Sequence, residues 1–494
     1  MSHHPTGRGD DQRTDKREHG HHDRGHTGHG QRDRATENPD PATDGDRQSG
    51  DLVAEPERLV VPECGRRANP TEPVARQPLE KPEHPDCGDD QTDYQRHERD
   101  KLHGSMVSGD LRDTHRPPWC GVLHAMRLLS SVLVAVLAAG LTAAPASANQ
   151  KVWLLGEKII PAGTFEGTTV GGLSGVDRDP RTGGYVFISD DRSALQPARF
   201  YTATIDVSAR GLGDVTITGT HPFLRADGAT YPPLSANDGT TVDPEDIRVD
   251  PWTGDYVWSQ EGERIVQPDR QVLIDPSIQF ARRNGAYVRT LPLPSVERMS
   301  AENHGPRQNL VLEGLTFAAG GTLVVSTVEG PLLQDGPEAT PDHGALSRIT
   351  VQTRAGRLVA QYAYPQEPVF AQPNPPGSFA TTGVVAILEA GPGRYLVLER
   401  SFVTGVGNKV RLFEITTRGA TNIGGLDSIA GKDVRPVHKK LIADMADFDL
   451  STVDNIEGMT WGPRLRDGAR SLLLVSDNNF AASQVTQVVA LAIR

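Results

Sequence analysis

Carboxylates recur in this chain at a spacing that could build one ligand site. Ser174, Glu245, Glu313, Val385 and Glu457 hold equivalent places in five related segments, separated by 71, 68, 72 and 72 residues. A second acidic row follows each segment: Asp190 and Asp191, Glu261, Glu329, Glu399, and Asp477 with Asn478 and Asn479. Asp246 adjoins Glu245 in the first row. Like charges gathered at one place repel one another, and a bound cation relieves that repulsion. Hard oxygen donors at this density suit Ca²⁺, which accepts carboxylates, carbonyls and water in a flexible shell. Zinc is a poorer fit, because His221, His304, His343 and His438 are the only histidines after residue 125 and none has ligand spacing. Arg192, Arg264 and Arg400 each follow an acid directly, and guanidinium groups match phosphate oxygens in paired hydrogen bonds. The chemistry expected of this set is phosphoester hydrolysis. Asp190, Asp191, Glu245, Asp246, Glu261, Glu329, Glu399 and Asp477 are metal ligands in that reading. Glu313, Glu457, Arg192, Arg264 and Arg400 are catalytic, with a metal-activated water as nucleophile. The competing reading is that these acids are solvated turn residues.

The elements that carry the acids repeat with them. "LSGVDRDPRTGGYVFISDDR", "PEDIRVDPWTGDYVWSQEGER", "LEGLTFAAGGTLVVSTVEG", "GVVAILEAGPGRYLVLERS" and "IEGMTWGPRLRDGARSLLLVSDNN" are each a short apolar strand, a Gly/Pro/Asp turn and a second apolar strand. Two further strand-like segments follow each hairpin except the last, where only "VTQVVALAIR" remains. The spare strand is "KVWLLGEKII" at 151–160, ahead of the first hairpin. The pattern predicts an all-β propeller of four-stranded blades whose ring is closed by the N-terminal strand. Five repeats are counted, and a divergent sixth blade within the longer loops stays open. A β-sandwich or β-solenoid requires neither the period nor the borrowed strand. In a propeller the innermost strand of a blade leaves one face of the disc and the second returns to it. Both acidic rows are therefore expected at one mouth of the central channel, with the D-P-x-T-G turns at the other face.

Composition divides the chain. Residues 1–125 contain twelve of the sixteen histidines, all three cysteines (Cys64, Cys87, Cys120) and almost no apolar runs. That segment is expected to be disordered, or to be an upstream extension from a mis-called start. Residues 126–148, "MRLLSSVLVAVLAAGLTAAPASA", read as a secretory signal peptide with an A-x-A cleavage site. The propeller then spans 149–494, exported to the periplasm or the medium, free of disulfides, not held in a membrane after cleavage, and monomeric. Residues 1–125 hold 18 Lys and Arg and 25 Asp and Glu, which leaves 33 and 39 for 126–494. That net of −6 argues against a nucleic-acid partner. G-x-S-x-G, the P-loop, the dinucleotide fingerprint and H-E-x-x-H do not occur, so serine-esterase and zincin mechanisms lack their parts.

"GGLSGVDRD", "LEGLTFA", "NIEGMTW" and "LLLVSDNNF", in that order, resemble the secreted phytase-like family known as "esterase-like activity of phytase", from about Phe165 to Ile493. The resemblance implies an exported bacterial propeller rich in acids, and hydrolysis of phosphate or carboxylic esters. Glu313, Glu457 and Asp477 match the family's acidic pattern, and Glu245 and Asp190 join them by repeat alignment. Ser174 and Val385 depart from it, which favours one localised site over a symmetric ring. A small-molecule phosphoester is the expected substrate. The alternatives are a non-catalytic calcium-binding propeller that holds a sugar or protein, and a metal-assisted carboxylesterase or lactonase.

Overall fold

The computed structural model describes residues 150–494. Residues 1–149, which include the segments read as an N-terminal extension and as a signal peptide, lie outside the described residues. Five four-stranded antiparallel sheets form the propeller. From the inner to the outer strand, blade 1 is Gly175–Arg178, Tyr185–Ser189, Arg199–Ser208 and Gly211–Pro222. Blade 2 is Pro244–Val249, Tyr256–Gln260, Ser277–Ala281 and Tyr287–Leu291, with an extra hairpin, Glu263–Gln267 and Arg270–Ile274, inserted after its second strand. Blade 3 is Leu312–Ala318, Leu323–Val328, Leu346–Thr353 and Leu358–Pro365. Blade 4 is Ala380–Gly391, Arg394–Val403, Gly407–Thr416 and His438–Asp444. Blade 5 is Asn455–Arg464, Arg470–Asp477, Thr486–Ile493 and, as its outer strand, the N-terminal Val152–Ile160. That last strand runs antiparallel to the C-terminal one, from Val152 opposite Ile493 to Ile160 opposite Thr486. The expected closure is thus present, and the blade count is five. No helix among the described residues is long and apolar enough to cross a membrane.

The core is distributed around the ring. The alternation of each strand sends one set of apolar side chains to each neighbouring blade, so every seam has its own cluster. Phe200, Phe223 and Trp258 fill the seam between blades 1 and 2, with Phe223 and Trp258 stacked at 4.2 Å. Leu396, Leu412, Met459 and Leu474 fill the seam between blades 4 and 5. Each such side chain contributes about 1.5–3 kcal/mol by leaving water.

The two D-P-x-T-G segments are turns, as expected. Asp179 accepts from Arg181 N at 2.9 Å and Asp250 from Trp252 N at 2.8 Å, while Gly183 and Gly254 take φ of 77° and 80°. They also do something the repeat alone did not reveal. Arg283, from the outer hairpin of blade 2, pairs with Asp179 of blade 1, and Arg354, one repeat later, pairs with Asp250. The repeated phrase thus staples blade 1 to blade 2 and blade 2 to blade 3.

Arg248 blocks the channel below the mouth. It belongs to the inner strand of blade 2 and is fully buried. Its Nη1 donates to Val176 O and Met459 O, both at 2.8 Å, its Nε donates to Leu315 O, and its Nη2 donates to Ile387 O at 3.4 Å. One guanidinium therefore ties blade 2 to the inner strands of the other four blades. Asp246 balances its charge at 2.7 Å.

Candidate active site

The inner strands are irregular where the first acidic row begins. Pairing with the second strand slips between Pro244 and Ile247, between Leu312 and Leu315, between Val384 and Ala386, and between Ile456 and Gly458. Glu245, Glu313, Val385 and Glu457 occupy these bulges, and a bulge re-aims the side chain it carries. The glycine after the glutamate has its own reason. A Cβ on Gly314 would lie 2.7 Å from Ile387 N, and one on Gly458 would lie 2.8 Å from Ser174 O. Inner strands of adjacent blades approach too closely here for any side chain. The E-G-[LM]-T phrase is thus an acid on a bulge followed by a strand contact.

These bulges and the ends of the second strands surround a cavity of about 810 Å³ at the channel mouth. Asp190, Glu245, Glu261, Glu313, Glu329, Glu457 and Asp477 line it, together with Arg192 and Arg400. The structure places four other expected residues elsewhere. Asp191 accepts from the backbone of Ala194, Leu195 and Gln196 at 2.7, 3.0 and 2.9 Å and from Arg199 at 2.6 Å. Burial opposes its charge, but these donors outweigh burial and hold its carboxyl below the usual range. Asp246 is committed to Arg248 and to Leu315 N at 2.8 Å. Glu399 turns outward to Lys439. Arg264 donates to Ser300 O and Glu302 O at 3.0 and 3.1 Å, pinning the inserted hairpin to its loop.

The lining acids fall into two groups. One oxygen each from Asp243, Glu245 and Glu261 lies within 4.8 Å of the other two, and the same holds for Glu261, Glu313 and Glu329. Glu261 is common to both triads, which sit at blades 2 and 3. Glu261 is oriented by a hydrogen bond from Val311 N at 2.7 Å. Asp190, Glu457 and Asp477 lie on the side of blades 5 and 1. There Asn455 donates to Asp477 at 3.3 Å, and Asn479 N donates to it at 2.8 Å. Asp190 Oδ1 is buried with no hydrogen-bond partner among the described residues. The two arginines brace the groups: Arg192 is 3.2 Å from Asp243 and 2.6 Å from Glu263, and Arg400 is 3.3 Å from Glu329 and 3.1 Å from Glu457.

Without a cation this arrangement is costly, and the acids respond by holding protons. Burial pushes Asp243 up to about 7, against the opposing pull of Arg192. Burial does the same to Glu329, tempered by Arg400, and to Asp477, where the charge on Glu457 adds to it. Asp190, Glu245, Glu261 and Glu313 are held well above the ordinary carboxylate range, by burial first and then by acidic neighbours: Asp477, Glu313, Asp243 and Glu329 respectively. The donors are all oxygens, and Asp190, whose Oδ1 is buried without a partner, lines the same cavity. That set fits a hard divalent cation.

Asn479, expected beside Asp477, also lines the cavity, while Asp243 and Asn455 are lining residues that the spacing argument missed. Asp243 and Asn455 each stand two residues before a bulge glutamate, as Val311 does in blade 3. Period-two alternation along the inner strand would have flagged both. Phe379 and Phe402 also line the cavity, and nothing in the acidic pattern pointed to them.

The phytase-like family, described as esterase-like activity of phytase, matches residues 168–480. The chain belongs to this family. No curated protein sequence matches the phytase-like chain. Among solved structures it is similar to an exo-β-1,3-galactanase from Phanerochaete chrysosporium, at 11% identity and a TM-score of 0.34, over 67% of this chain and 64% of that one. The chain thus spans less than two thirds of that enzyme's length. It is also similar to an α-L-arabinofuranosidase from Lactobacillus brevis, at 9% identity and a TM-score of 0.36, over 65% of this chain and 91% of that one. A periplasmic gluconolactonase from Pseudomonas aeruginosa shares 12% identity at a TM-score of 0.28, over 65% and 87% of the two chains.

Proposed function

We propose that this phytase-like protein is an exported, calcium-dependent hydrolase of small-molecule phosphoesters. The observation that carries the reading is the pair of carboxylate triads sharing Glu261 at the mouth of the channel. Asp243, Glu245, Glu261, Glu313 and Glu329 would hold the metal. A bound divalent cation supplies neutralising charge and Lewis acidity toward a phosphoryl oxygen. Arg192 and Arg400, at opposite edges of the triads, orient the phosphate and stabilise charge on its oxygens. Glu457, Asp190 and Asp477 belong to neither triad and share the cavity with them, so proton transfer falls to that side. Arg248, below the mouth, keeps the channel from opening to the far face. Export rests on the apolar leader at 126–148.

A second reading is a non-catalytic calcium-binding propeller. It is favoured by the engagement of Arg192 and Arg400 with acids, which must be released before either binds phosphate. One experiment separates the two. Phosphate release from phytate and from an aryl phosphate is measured in calcium, then in excess chelator, for the wild type and for Glu261→Gln. Release that disappears with chelator and with Glu261→Gln supports the hydrolase. A folded, calcium-binding protein that releases no phosphate from either substrate selects the binding propeller.

A further inference from the structure

Blade 4 breaks the acidic pattern, and what stands in its place faces the cavity. Val385 holds the bulge that carries glutamate in blades 2, 3 and 5, and Glu399 is turned away to Lys439. The first two strands of this blade are 12 and 10 residues long, against 4–10 and 5–8 in the other blades. They continue past the level of the acids and stand above the mouth as a wall. Phe379 and Phe402 cap it, with ring centroids 6.1 Å apart. Phe379 is 66% exposed although it lines the cavity.

The wall is fixed in place. The preceding insert, "AQPNPPGSF", is tied to the tip of the adjacent hairpin. Asn374 N donates to Thr404 O at 2.9 Å, Thr404 N donates to Phe379 O at 3.0 Å, and Thr404 Oγ1 donates to the same carbonyl at 2.7 Å. It also abuts a triad. Thr381 pairs with Phe402 across the two strands, and two residues later a Cβ on Gly383 would lie 2.3 Å from Glu329 Oε1. An ester whose phosphate sat on that triad would present its alcohol portion to this wall.

Charge limits what that alcohol portion can be. The cavity is lined by ten carboxyl side chains and two guanidiniums, and both guanidiniums are already paired. Once a bound cation has drawn the protons off these acids, a substrate bearing many phosphates would meet repulsion beyond the reach of the metal. A single phosphate on a flat, apolar ring face meets cations at one end and aromatic rings at the other. We propose that Phe379 and Phe402 are specificity-determining residues, and that the substrates are monophosphate esters of ring-bearing alcohols rather than polyphosphorylated ones. This rests on the phosphoester reading above.

The test uses binding, so it does not depend on turnover. Phenylphosphonate, glucose 1-phosphate and methylphosphonate are titrated calorimetrically into the calcium-loaded protein, the Phe379→Ala variant and the Phe402→Ala variant. Melting curves check that each variant is folded. The wild type should bind at least one ring-bearing probe about tenfold more tightly than methylphosphonate. That preference should fall toward unity in both variants, and the preferred probe tells whether the ring is aryl or sugar. Equal binding of all three probes by the wild type overturns the wall while leaving phosphate binding intact. A preference that survives both substitutions also overturns it. No binding of any probe sinks the phosphoester reading itself, and the wall with it.

Discussion

Raising the pH on cation-free protein should destabilise it across neutrality, and calcium should cancel the effect. In the unfolded chain, aspartate and glutamate are ionised well below pH 7. In the folded chain Asp243, Glu329 and Asp477 are pushed up to about 7, so near neutrality each retains roughly half a proton. Folded protein then binds more protons than unfolded, and stability falls as pH rises; these three groups alone contribute about 2 kcal/mol per unit at pH 7, and Asp246, also pushed up to about 7, adds to the fall. The stability these groups contribute is fully present below the unfolded pKa and is lost as pH rises through 7. Between pH 6 and pH 8 the three together account for about 4 kcal/mol. For a domain of this size that is a fall in melting temperature of about 6 °C. A cation that needs these oxygens ionised acts in the opposite direction, since its binding strengthens as protons leave. Melting curves in excess chelator at pH 6, 7 and 8, then repeated in calcium, read both effects. Glu329→Gln removes one of the titrating groups and should make the chelator slope shallower. A chelated protein whose melting temperature is flat or rises over this range would refute the argument. A chelated protein that calcium fails to stabilise at pH 8 would refute the assigned cation.

Four substitutions probe the parts separately. Glu261→Gln should abolish calcium-induced stabilisation, because Glu261 belongs to both triads, whereas Glu245→Gln, which removes one ligand of one triad, should leave part of it; calorimetric titration with calcium distinguishes them. Arg248→Met should cost about 3–5 kcal/mol in urea unfolding, because it leaves Asp246 buried without its counter-ion and four inner-strand carbonyls without a donor. Gly314→Ala should cost about 1–3 kcal/mol by the same measurement, since its Cβ would strike backbone of blade 4 as well as the Thr327 hydroxyl.

The fold was legible because closure leaves arithmetic in the chain: five equal hairpins, a last unit one strand short, and a spare strand ahead of the first. The site was legible in part, and the division has a physical cause. A repeat argument finds residues that share a position along the strand, and position along the strand sets height above the disc. Hence Glu245, Glu313 and Glu457 were found together, and the bulges that aim them were not, because a bulge adds no recognisable residue type. Height does not decide whether a side chain points into the channel or back into its own blade. Glu399 has the height of Glu261 and Glu329, yet Lys439, on its own outer strand, draws it outward. Asp191 adjoins Asp190, and strand alternation sends it to the opposite side, onto Arg199. Arg248 was invisible for a different reason. A lone arginine in an inner strand looks like a defect of the apolar pattern until four carbonyls from four other blades are seen to converge on it. Partners so distant in sequence leave no local spacing to read. The same is true of the aromatic wall: Phe379 and Phe402 are 23 residues apart, in a blade that turns no acid to the mouth, and only the length of its strands sets them above the mouth. On the proposed hydrolase reading, the lack of a blade 4 acid facing the mouth is part of the design of the site. A ring of five equivalent glutamates would hold ions on the axis and leave no side from which an ester could be told apart from its competitors.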